Sequence, residues 1–156
     1  MIVQMRRTDS RVPFSPTAVD VPLAAFAAEP PSPAVVVVGQ PGRVAGLGSH
    51  LPEGWSLRLA AGMHDVDGEE ILLLAPASVD EVIAARDLLP RRARIAVLVD
   101  DDAPAELVAG VLSAGADVCV RGGQPAILAS HLVACRRRQL AGRWAQHRTP
   151  QPRRPA

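Results

Sequence analysis

Five short apolar runs recur along the middle of the chain, and each has the length of a strand. Ala34 to Val38 (AVVVV) is a β-branched run that stops at Gly39, too short for a helix. Trp55 to Leu59 (WSLRL) alternates, as a half-buried edge strand does. Ile71 to Leu74 (ILLL) and Ile95 to Val99 (IAVLV) are apolar throughout and predict strands covered on both faces. Val118 to Val120 predicts a short last strand. The segments between them carry helical spacing. Gly42 to Leu51 predicts a poor helix, weakened by Gly46 and Gly48. Ser78 and Glu81 fit a capping box that opens a helix with Val79, Val82, Ile83 and Leu89 on one side, ending at Pro90. Asp102 and Pro104 start another, with Leu107, Val108, Val111 and Leu112 in helical register up to Gly115. Pro125 opens the last helix, in which Leu128, Leu132 and Cys135 share a face as it runs towards Trp144.

Strands alternating with helices over short connections imply a parallel sheet with right-handed crossovers. At about 110 residues the pattern is too small for an eight-fold barrel. It predicts an α/β fold of the flavodoxin or CheY type, a doubly wound (βα)5 sandwich with strand order 2-1-3-4-5. Residues 1–33 hold six prolines without sustained periodicity and read as a flexible arm, with Val21 to Ala28 as a possible short docked helix. The domain is expected over 34–145, followed by a basic Pro/Arg-rich tail at 146–156.

Composition sharpens this picture. Of 156 residues 48% are hydrophobic, yet only two Phe and two Trp are present, so the core must be built from Val, Leu, Ile and Ala. There is no Lys, and the Arg, Ala, Pro and Gly bias is that of a GC-rich bacterial genome. The net charge of +1 conceals an asymmetry: Met63 to Asp117 has 12 acids against four Arg, whereas Val118 to Ala156 has eight Arg and no acid. Such a division can steer a partner. Cys119 and Cys135 lack metal or redox spacing and read as buried thiols. The chain offers neither a signal-peptide run nor a membrane-spanning stretch, so the expected location is cytoplasmic.

The segment Leu112-Ser113-Ala114-Gly115-Ala116-Asp117-Val118-Cys119-Val120-Arg121 resembles the junction before the fifth strand of bacterial response-regulator receiver domains, where an AGAD turn precedes an apolar strand ending in Lys. The spacing from Ile71 to Val99, with a helix ending in Leu-Pro, is similar to that family too. The resemblance covers roughly residues 34–145 and places the chain beside modules of two-component signalling and transcription regulation. Members hold Mg²⁺ on an acidic pair after strand one and phosphorylate an Asp ending strand three. Here Gly39 and Gln40 take the acidic places, Ala75 the acceptor's, and Val99 that of the switch Ser or Thr. Only Arg121 keeps a charge, where the family has Lys. The expectation is a pseudo-receiver: no enzyme, no catalytic residue, no metal and no cofactor.

Other motifs leave options open. Asp100, Asp101 and Asp102 fit a solvated loop and helix cap, or a cation site. His64, Asp65, Asp67, Glu69 and Glu70 form a second polar group without i, i+4 ligand pairs. Gly39-Gln40-Pro41-Gly42 lacks both phosphate-binding glycine signatures and reads as a tight turn. Arg121 could pair with Asp100 or an anion, and His131 reads as a packed helix residue. By resemblance, a protein partner or homodimer would meet the fourth helix, fifth strand and fifth helix, through Glu106, Ala109, Gly110, Arg121, Ala129 and Arg136. A small ligand in the pocket of Gly39, Gln40, Ala75, Val99 and Arg121 is the alternative. Nucleic acid enters only through the basic tail (Arg136 to Arg138, Arg143, Arg148, Arg153, Arg154) or a missing effector domain.

Overall fold

A computed structural model describes residues 32–148, and the side chains of that span up to 145. The expected arm at 1–33, with its possible helix, and the end of the tail beyond 148 thus lie almost wholly outside the described residues. Five parallel strands form one sheet in the order β2-β1-β3-β4-β5: β1 (Ala34–Gly39), β2 (Ser56–Leu59), β3 (Ile71–Ala75), β4 (Arg94–Val99) and β5 (Val118–Arg121). Three α-helices connect or follow them: α1 (Val79–Leu88), α2 (Ala105–Ser113) and α3 (Pro125–Arg148). This is the flavodoxin-like order read from the sequence.

The sheet splits the core into two layers, because successive strand residues point to opposite faces. Leu72, Leu74, Val97 and Val99 pack with Val82, Ala85 and Val111 beneath α1 and α2. Ile71, Leu73, Ala75, Ala96 and Leu98 pack with Val44, Leu47, Leu128, Leu132 and Cys135 beneath α3. Aliphatic residues fill both layers, as the scarcity of aromatics required.

Local chemistry set most boundaries. Ser78 Oγ accepts from the Glu81 amide while the Glu81 carboxylate accepts from the Ser78 amide, so the capping box forms. Gly42 to Leu51 does not make an α-helix. It breaks into 3-10 turns at Pro41–Val44 and Leu47–His50, separated by Gly46 at φ 79°, a left-handed geometry that only glycine adopts cheaply. On α1 the buried stripe is Val82, Ala85 and the capping Leu89, while Ile83 turns outward with Leu88. Ile83 stands about 100° round the helix from Val82, and only the Val82 side is covered by the sheet. α3 runs to Arg148, past the expected domain end at 145. None of the helices among the described residues is long and apolar enough to cross a membrane.

Candidate functional site

In a doubly wound sheet ligands meet the C-terminal ends of the strands. That rim is built here from backbone atoms in close contact. Gly39 ends β1 opposite Ala75 at φ 122°, where an added Cβ would collide with the Ala75 carbonyl oxygen. The Gln40 amide donates to that same oxygen at 2.6 Å. Gly39, Gln40 and Ala75 therefore come together, and they seal the gap between the two strands. The Ala75 methyl is 0% exposed and packs in the α3-side layer among Val44, Leu47 and Leu128. Val99 is buried in the opposite layer. The two do not line one pocket, which corrects that expectation. Strand alternation and the position of each residue on its strand put their side chains on opposite faces.

Arg121 is paired in register with Val99 and exposed. Asp100 does not meet it. Its carboxylate accepts from Arg43, which follows β1 through the Pro41–Val44 turn. Sequence reading missed Arg43, because 57 residues separate the pair and neither lies in a motif. Asp101 sits against Gly122, where an added Cβ would come within 2.8 Å of its Oδ1. Among the described residues no three His, Cys, Asp or Glu side chains are grouped so as to hold a metal.

The opposite end of the sheet is where charged groups converge. Asp117, the last residue of the AGAD turn, accepts from Arg86 Nη2 at 2.6 Å, Arg94 Nη1 at 2.6 Å and the Ile95 amide at 2.8 Å. Its own amide donates to Ile95 O at 2.8 Å, so one residue stitches β4 to β5. Arg86 also donates to Gly115 O at 2.7 Å and Ala93 O at 2.8 Å. Nearby, Glu70 accepts from Arg58 through both oxygens at 2.9 and 2.6 Å, which holds its carboxyl below the usual range. Glu69 accepts from Arg143 at 2.9 Å, with Arg92 at 3.7 Å. Glu69 and Glu70 of the second acidic group are thus engaged in internal pairs.

Two residues expected on the partner face are buried. Ala129 and Arg136 share the inner stripe of α3 with Leu128, Leu132 and Cys135. Arg136 donates to Glu69 O at 3.1 Å and Gln139 Oε1 at 2.8 Å, and burial presses its guanidinium below its ordinary pKa. They are seven residues apart, two full turns, and both follow the packed face round the helix. Gly110 faces α1, with its missing Cβ 2.9 Å from Val79 Cγ2. Glu106, Ala109 and Arg121 remain exposed, beside Leu112 and Ile127. His131 is exposed, against the packed position expected of it.

Cys119 is half-buried and packs against the α1–α2 layer, whereas Cys135 is buried in the α3 layer. The sheet separates them, and burial raises both thiols above the ordinary pKa, which lowers their reactivity. Two hollows lie away from the rim. One of about 210 Å³ is lined by Ser32, Ala34, Asp67, Glu69, Glu70 and Arg136. The other, about 380 Å³ and shallow, is lined by Arg86, Asp87 and Arg91.

Among solved structures the chain is similar to a Burkholderia thailandensis protein assigned to pilus assembly (cpaE). The TM-score is 0.50 at 16% identity, over 65% of this chain and 95% of that one. At that identity the likeness is one of fold, and the fold is α/β with parallel strands, as a receiver requires. No family model matches the sequence, and no curated protein matches it.

Proposed function

We propose that this chain is a receiver-like signalling or regulatory module that takes no aspartyl phosphate and acts by contact with another protein. The observation that carries the reading is the end of β3. A buried methyl stands in the acceptor's place, and the carbonyl beside it is occupied by Gln40 and covered by Gly39. Phosphoryl transfer needs an oxygen nucleophile and cationic charge around the moving phosphate. Neither group is supplied by Gly39, Gln40, Ala75 or Val99. Arg43, which follows β1, is engaged with Asp100, and Arg121 stands exposed at the end of β5.

The surface best suited to a partner is what remains of α2, β5 and the first turn of α3. β5 has only four residues and lies at the sheet edge, with Cys119 half-buried on it. Glu106, Ala109, Leu112, Arg121 and Ile127 stand exposed around it. A short edge flanked by a few apolar side chains suits a partner and resists unlimited sheet extension. Likeness of fold to a pilus assembly protein fits a module that works inside a larger assembly. The test is incubation with acetyl phosphate and Mg²⁺, read by intact mass. The mass is expected to stay unchanged, and a gain of one phosphoryl group would overturn the reading.

A further inference from the structure

Among the described residues, the outward faces of α1 and α3 are exposed helix surfaces. α3 has 24 residues, about 36 Å, whereas the strands it covers have four to six. Its contacts with Glu69, just before β3, come from Arg136, Gln139 and Arg143, so its last turns run beyond the N-terminal end of the sheet. On the outward stripe of that part stand Ala134, Arg137, Ala141 and Trp144, spaced three and four apart. Trp144 is 72% exposed, the largest apolar surface on any described side chain. The outward stripe of α1 is Asp80, Ile83, Asp87 and Leu88, with Ile83 at 45% and Leu88 at 54% exposure.

We propose that a second copy of this chain docks head to tail, the α3 stripe of one copy lying on the α1 stripe of the next. Charge selects that occupant. Pairing α3 with α3 would set Arg137 against Arg137, and pairing α1 with α1 would set Asp80 and Asp87 against their like. Like charges facing one another across an interface repel and disfavour that pairing. Only the crossed pairing puts Arg137 beside carboxylates and brings the apolar members together. The two stripes are also close in length, about 12 Å on α1 and about 15 Å on α3. The hollow lined by Arg86, Asp87 and Arg91 lies beside the C-terminal end of the α1 stripe. It offers Trp144 a guanidinium for its ring face and a carboxylate for its indole N–H. Because the two faces differ, the contact leaves one free face of each kind and is open-ended. It does not rest on the loss of phosphorylation, since neither stripe touches Gly39, Gln40 or Ala75.

Sedimentation velocity on the full chain over a concentration series tests this. The wild type is expected to gain mass with concentration at low salt and to lose that gain at high salt. Asp87→Arg and Arg137→Asp should each sediment as monomers, since each removes one of the two faces. An equimolar mixture of them should regain association, because each variant still carries the face the other lacks. Trp144→Ala should weaken association about 30-fold, as central aromatic anchors do. All three positions are exposed, and unchanged circular dichroism would show that the fold is intact. A wild type monomeric throughout, reversals that associate like the wild type, or a mixture that stays monomeric would each overturn the proposal. The second result would also identify a contact made elsewhere, such as the α2–β5–α3 surface.

Discussion

At the N-terminal end of the sheet, Asp117 holds three donors and joins β4 to β5. At the C-terminal rim, β1 and β3 meet through the Gly39 backbone and the Ala75 carbonyl with no charged side chain between them. Each end is closed, by opposite means. The AGAD turn, which carried the resemblance to receivers, belongs wholly to the charged end and does a scaffold's work there. At the other end, the gap between β1 and β3 is closed by backbone contact and apolar side chains. The two regions share no side chain, so either can change without the other.

The sharpest way to break this contrast is to put a carboxylate at the neutral end. Ala75→Asp would bury a charge in an apolar layer, at a cost of about 3–5 kcal/mol in a urea melt. It should not restore phosphorylation by acetyl phosphate, because the acidic pair is still missing. A stable variant that took up phosphate would show the rim to be adaptable, and the contrast would fail. Removing the carboxylate from the charged end comes next. Asp117→Ala would strand Arg86 and Arg94, which are 22% and 26% exposed at their side chains, and should cost roughly 3 kcal/mol. A loss below about 1 kcal/mol would mean that water replaces the carboxylate.

Gly39→Ala tests the backbone contact by forcing a Cβ against the Ala75 carbonyl at positive φ, for about 2 kcal/mol. Unchanged stability would mean the two strand ends can part. The smallest effect expected is that of acid on Glu70. Its carboxyl is depressed, chiefly by the hydrogen bond from Arg58, so the pair stabilises the fold above the ordinary Glu value near 4.5 and is lost as pH falls through the lowered one. Comparing wild type with Glu70→Gln from pH 7 to pH 3 should show the difference shrinking as acid is added. Its size at neutral pH should be about 1 kcal/mol, since Arg58 is 40% exposed and screened. A difference independent of pH would assign the effect to packing.

Strand positions, the capping box at Ser78 and Glu81, and the layer order were all legible in the sequence, because each depends on neighbours a few residues away. Apolar length and alternation fix a strand, a hydroxyl three residues before an acid fixes a helix start, and alternation of elements fixes a parallel sheet. That β3 ends in Ala75 was readable for the same reason. Which side of α1 and α3 faced inward was only half readable. Ile83, Ala129 and Arg136 lie within one or two residues of the stripe boundary, and only the sheet's twist and neighbours decide on which side they fall. The charged contacts were not readable at all. Arg43 with Asp100, Arg86 with Asp117 and Arg143 with Glu69 are 57, 31 and 74 residues apart, and long side chains from different elements meet only once the sheet has set their distances. Local rules of spacing therefore determined the architecture, while the pairing of charges was decided by tertiary structure, since Coulomb attraction depends on separation in space and not along the chain.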